Sequence, residues 1–230
     1  MVAGAIGLAS CGGHGTDIEP TLVFAERSDD EITRLIIAAT GEEQTAALSF
    51  LALQMDGRDP GCPVVAETSD TITVTGDCTR VDGAQIVGSA IIRRPSGEGL
   101  RTYHELRRFG YVGASSRTTY DGFVDRRDDL RTWDGDVTVD EDGVAVRADI
   151  YSRCETSGER TTCSHDGSGV ELVGVGGAHV SGTTTVGLTA YYADYVLRGV
   201  DRLVVTLPGG PNGCIGWNIE GTDRHHDCPR

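Results

Sequence analysis

The stretch that decides the fold is residues 142–151, Asp-Gly-Val-Ala-Val-Arg-Ala-Asp-Ile-Tyr. Apolar residues at 144, 146, 148 and 150 alternate there with Ala145, Arg147, Asp149 and Tyr151. A period of two residues is typical of a β-strand with one buried face. The Asp-Gly dipeptide at its start tolerates a positive φ and favours a tight hairpin turn. The stretch therefore predicts a strand that follows directly on a hairpin.

The same two signals recur along most of the chain after Cys62. Alternating runs occur at 71–75 and 215–220. Further hairpin dipeptides are Asp82-Gly83, Asp121-Gly122, Asp134-Gly135, Asp166-Gly167 and Asn212-Gly213. Repeated hairpins without helical spacers predict consecutive strands that pair antiparallel. We therefore predict a mainly β fold, an antiparallel up-and-down meander of about ten to twelve strands, curled into a barrel or half-barrel that removes its edges.

Two short N-terminal helices are predicted ahead of the strands. Ser28 and Glu31 have the spacing of a capping box, in which each side chain bonds the other residue's backbone N–H. The apolar stripe that follows has helical spacing and consists of Ile32, Leu35, Ile36 and Ala39. Thr40 and Glu43 repeat the cap before a second apolar face over 47–55. We expect these helices to cover one face or an open end of the sheet.

The N-terminus contains the most specific motif. Residues 1–10 are apolar or small, and Leu8-Ala9-Ser10-Cys11 closes them. This tetrapeptide resembles the lipobox of bacterial lipoproteins. The resemblance implies that the Cys11 thiol receives a diacylglycerol and that cleavage makes Cys11 the first residue. The expected organisation is a signal-like segment at 1–10, a lipid-anchored flexible tether at 11–20 and a single helix-capped β domain at 21–230.

The other cysteines indicate disulfides. They number six and are Cys62, Cys78, Cys154, Cys163, Cys214 and Cys228. An even number is typical of an oxidising compartment. Zinc sites prefer pairs separated by two to four residues, and no two of these cysteines are that close. Fifteen connectivities exist for six cysteines, and bonds between sequence neighbours, 62–78, 154–163 and 214–228, are the most economical.

A second resemblance involves the first of these pairs. Cys62-Pro63-Val64, Gly76-Asp77-Cys78-Thr79 and Asp82-Gly83 are similar to a repeated pattern in Gly-rich envelope lipoproteins of high-GC Gram-negative bacteria. The resemblance is limited to residues 62–83 and implies no activity. It is consistent with the lipobox in placing the chain in the cell envelope.

The charge balance limits the classes of partner. The chain has 35 acidic residues against 20 basic ones and a net charge of −15. Nucleic-acid affinity depends on Lys and Arg that neutralise phosphates, so nucleic acid is not an expected partner. All basic residues are Arg, which excludes mechanisms that need an active-site lysine. The expected partner is a membrane, reached through the lipid anchor.

No catalytic signature stands out. The sequence lacks a G-x-S-x-G elbow, and His104-Glu105 begins a zinc-protease motif in which Arg108 replaces the second His. His225-His226 has adjacent side chains that point to opposite faces of an extended chain, which favours a solvated tail over a metal site. No cofactor is expected.

The acidic stretch 121–142 has two interpretations. Its carboxylates could bind Ca²⁺ weakly, as some extracellular modules do, or they could be the polar residues that hairpin turns require. Clustered tyrosines at 191–195 are similarly either a ligand-binding row or cross-strand pairs that stabilise the sheet.

We expect an exported, lipid-anchored envelope protein that acts as a non-enzymatic binding or structural module. A specific version is a half-barrel that shelters an apolar ligand in a concave cavity. The alternative is a secreted hydrolase that uses two carboxylates about 5–10 Å apart, one with a raised pKa.

Overall fold

A computed structural model describes residues 15–39, 50–52, 61–94, 101–187, 191–207 and 215–227. Within these ranges the chain forms an α-helix of eleven residues, a helical fragment at 50–52, a single 3₁₀ turn at Phe24–Glu26 and fifteen β-strands. The strands are β1 (Val64–Glu67), β2 (Thr71–Thr75), β3 (Cys78–Thr79), β4 (Gln85–Arg93), β5 (Thr102–Val112), β6 (Ser116–Arg127), β7 (Leu130–Glu141), β8 (Val144–Ser157), β9 (Arg160–Ser164), β10 (Ser168–Leu172), β11 (Gly176–Val186), β12 (Tyr191–Arg198), β13 (Arg202–Leu207), β14 (Gly216–Ile219) and β15 (His225–His226).

The strands form one antiparallel sheet in which nearly every strand pairs with its neighbour in sequence. The predicted antiparallel meander is confirmed, and the sheet is curled without forming a regular barrel. Strand β8 pairs with β9 along its second half and with β10 along its first half, so β9 and β10 lie end to end. The strand number exceeds the expected one in part because β3 and β15 contain only two residues each, too few to show an alternating pattern.

The helix α1 (Asp29–Ala39) begins as predicted. The Ser28 backbone N–H donates to a Glu31 carboxylate oxygen at 2.8 Å, and the Glu31 N–H donates to Ser28 Oγ at 3.2 Å. The predicted apolar stripe of the helix is buried. Of the second predicted helix, residues 50–52 are described and are helical, while Thr40, Glu43 and the rest of 40–49 and 53–55 lie outside the described residues.

Helix α1 covers one face of the sheet, which we call the inner face. It packs against β8 and β10, and the Tyr195 hydroxyl on β12 donates to the Ile36 carbonyl at 2.9 Å. Phe24, Phe109 and Trp133 are fully buried in the same core. Burial of apolar area at about 25 cal/mol per Å² is the main force that holds helix and sheet together. The opposite surface is called the outer face.

Two of the predicted hairpin turns are wrong. Asp121-Gly122 lies inside β6 and Asp134-Gly135 inside β7, and Gly122 pairs directly with Gly135. A Cβ on Gly122 would lie 2.4 Å from the Asp134 carbonyl oxygen. The glycines at this point therefore allow two neighbouring strands to approach closely rather than to turn. The turns at Asp82-Gly83, Asp142-Gly143 and Asp166-Gly167 are present as expected, and Asn212-Gly213 lies outside the described residues.

Candidate functional site

The segment 16–22, which we call the strap, lies against the outer face of the sheet. Ile18 is only 5% exposed, and its carbonyl accepts a hydrogen bond from His179 Nε2 at 3.0 Å. Beneath the strap are two glycines. A Cβ on Gly169 would lie 2.6 Å from Thr16 Oγ1, and one on Gly177 would lie 2.2 Å from Ile18 Cγ2. The absence of side chains at these positions allows the strap to pack directly on β10 and β11.

A network of charged groups fixes the beginning of the strap. Arg147 Nε donates to Asp136 Oδ1 at 2.7 Å, and Arg147 Nη2 donates to Asp17 Oδ1 at 3.0 Å. The Asp17 N–H in turn donates to the Asp149 carboxylate at 3.3 Å. Burial raises the pKa of Asp136, Arg147 partly offsets this, and the nearby charges of Asp149 and Asp17 raise it further. One guanidinium thus holds carboxylates from the strap and from β7.

The strap then passes the ends of the strands and enters the core. The Leu22 N–H donates to the Gly177 carbonyl at 2.8 Å, and the Leu22 carbonyl accepts from the Val200 N–H at 2.7 Å. The Asp201 carboxylate accepts from the Phe24 N–H at 2.7 Å and from the Ala25 N–H at 2.9 Å. Side-chain oxygens of this kind satisfy the free N–H groups at a helical start. The chain is therefore bound on both faces of the sheet before α1 begins.

The segment expected as a flexible tether, 11–20, is in part fixed to the domain. Residues 16–20 belong to the strap because Ile18 is buried and Asp17 is ion-paired. Cys11, the expected lipid site, and residues 12–14 lie outside the described residues, as does the signal-like segment 1–10. The role of Cys11 as a lipid acceptor stays a prediction.

Two of the expected disulfides are present. Cys62 is bonded to Cys78 and Cys154 to Cys163, the pairs that sequence proximity favoured. The second bond joins directly opposed residues of β8 and β9. Cys214 and Cys228 lie outside the described residues, so the third bond remains a prediction.

A small cleft lies between α1 and the strands β7 and β8. Its volume is about 140 Å³ and its walls are mainly apolar, formed by Ile37, Ala38, Val139, Val144 and Val146. The remaining wall is the ion pair between Arg34 and Glu141. Pockets for small-molecule ligands usually measure about 300–1,000 Å³. Because α1 and Phe24 fill the inner face, the described residues form a packed core rather than the expected concave shelter for an apolar ligand.

A cluster of cations lies at the other end of β7, on the inner face. Arg126 on β6 and Arg131 on β7 are direct cross-strand partners. Arg131 Nη2 contacts Cys154 Sγ at 3.4 Å. Burial and the charge of Arg126 lower the pKa of Arg131, and burial followed by the charges of Arg126 and Arg94 lowers the pKa of His104.

The arginine pair lines a second cavity, of about 220 Å³. Its other walls are formed by Asp128, Asp129, Leu130, Cys154, Thr156 and Thr161. Both arginines belong to the acidic stretch 121–142, whose carboxylates draw attention away from their juxtaposition. A signal was present, since Arg126 and Arg131 stand symmetrically about the Asp128-Asp129 turn and must face each other in a hairpin.

The acids proposed for weak calcium binding are spread along the β6–β7 hairpin instead of gathered in one place. Asp125 pairs with Arg101, Asp136 with Arg147 and Glu141 with Arg34. In the described part of the chain, no three His, Cys, Asp or Glu side chains come together as a metal site would require. Asp125, Asp136 and Glu141 thus act as ion-pair partners in the structure, and weak calcium binding by the stretch stays a prediction.

Two histidines that sequence analysis left unassigned have buried ring nitrogens. His165 is 1% exposed, its Nε2 lies 2.8 Å from Thr184 Oγ1, and burial lowers its pKa to about 4. Within the described residues, His165 Nδ1 and His104 Nδ1 are buried without a hydrogen-bond partner. His225 and His226 lie on exposed β15, as a solvated tail predicts.

No protein-family model, curated protein or solved structure matches the chain. None of the helices in the described ranges has the length and hydropathy needed to cross a bilayer.

Proposed function

We propose that this chain is an exported protein of the bacterial cell envelope, held at a membrane by lipid on Cys11, and that its β domain is a non-enzymatic binding or structural module. The observation that carries the proposal is the pair of disulfides, Cys62–Cys78 and Cys154–Cys163. Disulfides persist in oxidising compartments and are rare in the reducing cytosol. Lipid attachment at a lipobox-type cysteine also requires export.

The path of the strap supports attachment through the N-terminus. The chain is bound to the outer face from Thr16 onward, so residues 11–15 alone connect Cys11 to the domain. The five extended residue steps from Cys11 to Thr16 span at most about 18 Å. A lipid on Cys11 would accordingly hold the outer face around Asp17 close to the membrane surface, and the inner face with its cover of α1 would be turned away.

The packed core favours a structural or surface-binding module over a carrier of whole lipids. The apolar cleft beside α1 is about 140 Å³, comparable to a cavity that accommodates benzene. A hydrolase would have one candidate carboxyl pair in Asp136 and Asp149, which lie opposite each other on β7 and β8. Arg147 is bonded to Asp136, and we assign this pair to fixing the strap.

The anchoring step can be tested with metabolic labelling. The wild-type protein and the variant Cys11→Ala are expressed with their native upstream sequence in a bacterium fed an alkyne-tagged fatty acid. We expect label and membrane partition for the wild type, and loss of both for the variant. The matched control Gly13→Ala should be labelled like the wild type. Equal labelling of Cys11→Ala, or an unlabelled wild type in the soluble fraction, would contradict the proposal.

A further inference from the structure

The cation cluster at Arg126 and Arg131 conflicts with the usual rules of strand pairing. The two residues are directly opposed across the β6–β7 ladder, and like charges in that position destabilise a sheet. Both side chains project to the inner face, because they alternate with Asp125 and Thr132 and follow the buried pair Val124 and Trp133. Arg126 is exposed and Arg131 is half-buried, so two positive charges share the open end of this face in a strongly acidic protein.

Many arginines of the described chain have carboxylate partners at close range, whereas Arg126, Arg131 and a few others such as Arg127 have none there. Arg101 pairs with Asp125 at 2.9 Å, and Arg224 pairs with Asp29 at 2.7 Å. For Arg126 and Arg131, no carboxylate of the described residues lies within ion-pair distance. Asp128 and Asp129 line the same cavity but do not reach the guanidinium groups. Among the described residues, the charge of these two guanidinium groups is thus not balanced by an ion pair.

The cavity provides the groups that an oxyanion needs. Its two guanidinium groups offer planar, always charged N–H donors that match the oxygens of phosphate or carboxylate. Thr156 and Thr161 add hydroxyls to the same wall, 3.0 Å apart. The volume of about 220 Å³ accommodates one phosphate group with bound water.

We propose that the cavity beside Arg126 and Arg131 is a binding site for an oxyanion of the phosphate class. The anion neutralises the opposed guanidinium groups and accepts hydrogen bonds from both. The shared chemistry is a tetrahedral phosphate, either free or as the terminal group of a larger phosphomonoester. This proposal concerns a ligand of the folded domain and does not depend on lipid attachment at Cys11.

The first test measures the melting temperature in inorganic phosphate and in chloride at equal ionic strength. Equal ionic strength removes general screening effects, and specific binding to the native state raises the melting temperature with ligand concentration. We expect phosphate to raise the melting temperature above its value in chloride. Glycerol phosphate serves as the phosphomonoester probe. If it raises the melting temperature as much as inorganic phosphate or more, the ligand is a larger phosphomonoester. If only inorganic phosphate raises the melting temperature, the ligand is the free ion. No difference between phosphate, glycerol phosphate and chloride would overturn the proposal.

The variants Arg126→Gln and Arg131→Gln locate the effect. Loss of one charged hydrogen-bond donor should weaken phosphate binding about tenfold or more. In chloride, Arg126→Gln should melt at a higher temperature than the wild type, because it removes the repulsion. The matched control Arg127→Gln removes one charge from the adjacent, exposed position of β6 and should keep the phosphate response.

A phosphate response that persists in Arg126→Gln and Arg131→Gln at the strength of Arg127→Gln would overturn the site. Should either variant fold poorly, broadening of the phosphate resonance in ³¹P NMR on the wild type provides an independent measurement. We expect the phosphate resonance to broaden, and chloride at equal ionic strength should not reverse the broadening. A phosphate line that stays sharp would contradict the site.

Discussion

The Arg147 guanidinium lies 3.0 Å from the Asp17 carboxylate, across 130 positions of the chain. The same group donates to Asp136 at 2.7 Å. Through these two bonds the beginning of the strap is attached to the sheet at β7 and β8. Because Arg147 holds Asp17 on the outer face, it is this face that lies beside the segment that carries Cys11.

The substitution Arg147→Gln should loosen the strap and destabilise the domain. It leaves the partly buried Asp136 carboxylate without its donor, and an unsatisfied charged group of this kind costs about 2 kcal/mol. Urea unfolding gives the free energy of unfolding directly. The matched control is Arg153→Gln, whose exposed ion pair with Glu155 should contribute less than about 1 kcal/mol. Equal losses for the two variants would show that Arg147 does not hold the strap.

Adding a methyl group beneath the strap should displace it. In Gly177→Ala the new Cβ would meet Ile18 Cγ2 at 2.2 Å, and overpacking of this kind costs about 1–3 kcal/mol. Limited proteolysis should then cut the strap faster than it does in the wild type. Gly15→Ala is the control because its Cβ would meet no atom within 4 Å. Unchanged cleavage of Gly177→Ala would be incompatible with the packing described.

Buried His165 should make the domain less stable as the pH falls from about 6.5 to about 4. Burial lowers the pKa of His165 to about 4, whereas the unfolded chain binds this proton near pH 6.5. In that window the unfolded state binds more protons, so stability falls with decreasing pH, by up to about 1.4 kcal/mol per pH unit.

The comparison that isolates this effect is His165→Gln, whose amide can keep a bond to Thr184. Unfolding measured from pH 7 to pH 4 should show a flatter dependence for this variant than for the wild type. His225→Gln changes an exposed histidine and should retain the wild-type slope. Identical slopes for all three proteins would refute the assignment to His165.

Removal of the Cys154–Cys163 bond should lower the free energy of unfolding by about 3 kcal/mol, because the bond restricts the unfolded chain. The double variant Cys154→Ser, Cys163→Ser is compared with Cys62→Ser, Cys78→Ser in denaturant. The Cys62–Cys78 bond closes a longer loop, with a sequence separation of 16 against 9, and its loss should cost slightly more. No loss in either variant would mean that neither bond constrains the unfolded state.

The regular parts of the fold could be predicted from the sequence because they depend on local patterns. The alternation over 144–151 matches β8, and the capping box at Ser28 marks the start of α1. Prediction failed where a residue's role is set by a distant partner. The dipeptides Asp121-Gly122 and Asp134-Gly135 are typical of turns, yet their glycines permit the close approach of two strands.

The site features were harder to predict for the same reason. No residue close to Asp17 in the sequence indicates its partner, because Arg147 reaches Asp17 only in the folded chain. The negative net charge of the chain also gives no indication of local positive charge, although Arg126 lies beside Arg131 in the sheet. That second pairing could have been found by counting outward from the Asp128-Asp129 turn.

The most direct test of the central claim is the intact mass of the protein extracted from its native membrane fraction, with and without reductant. The account predicts a chain that begins at Cys11, carries the mass of a diacylglycerol, and gains two protons for each disulfide on reduction. A chain without lipid whose mass reductant leaves unchanged would contradict export, anchoring and disulfide formation together.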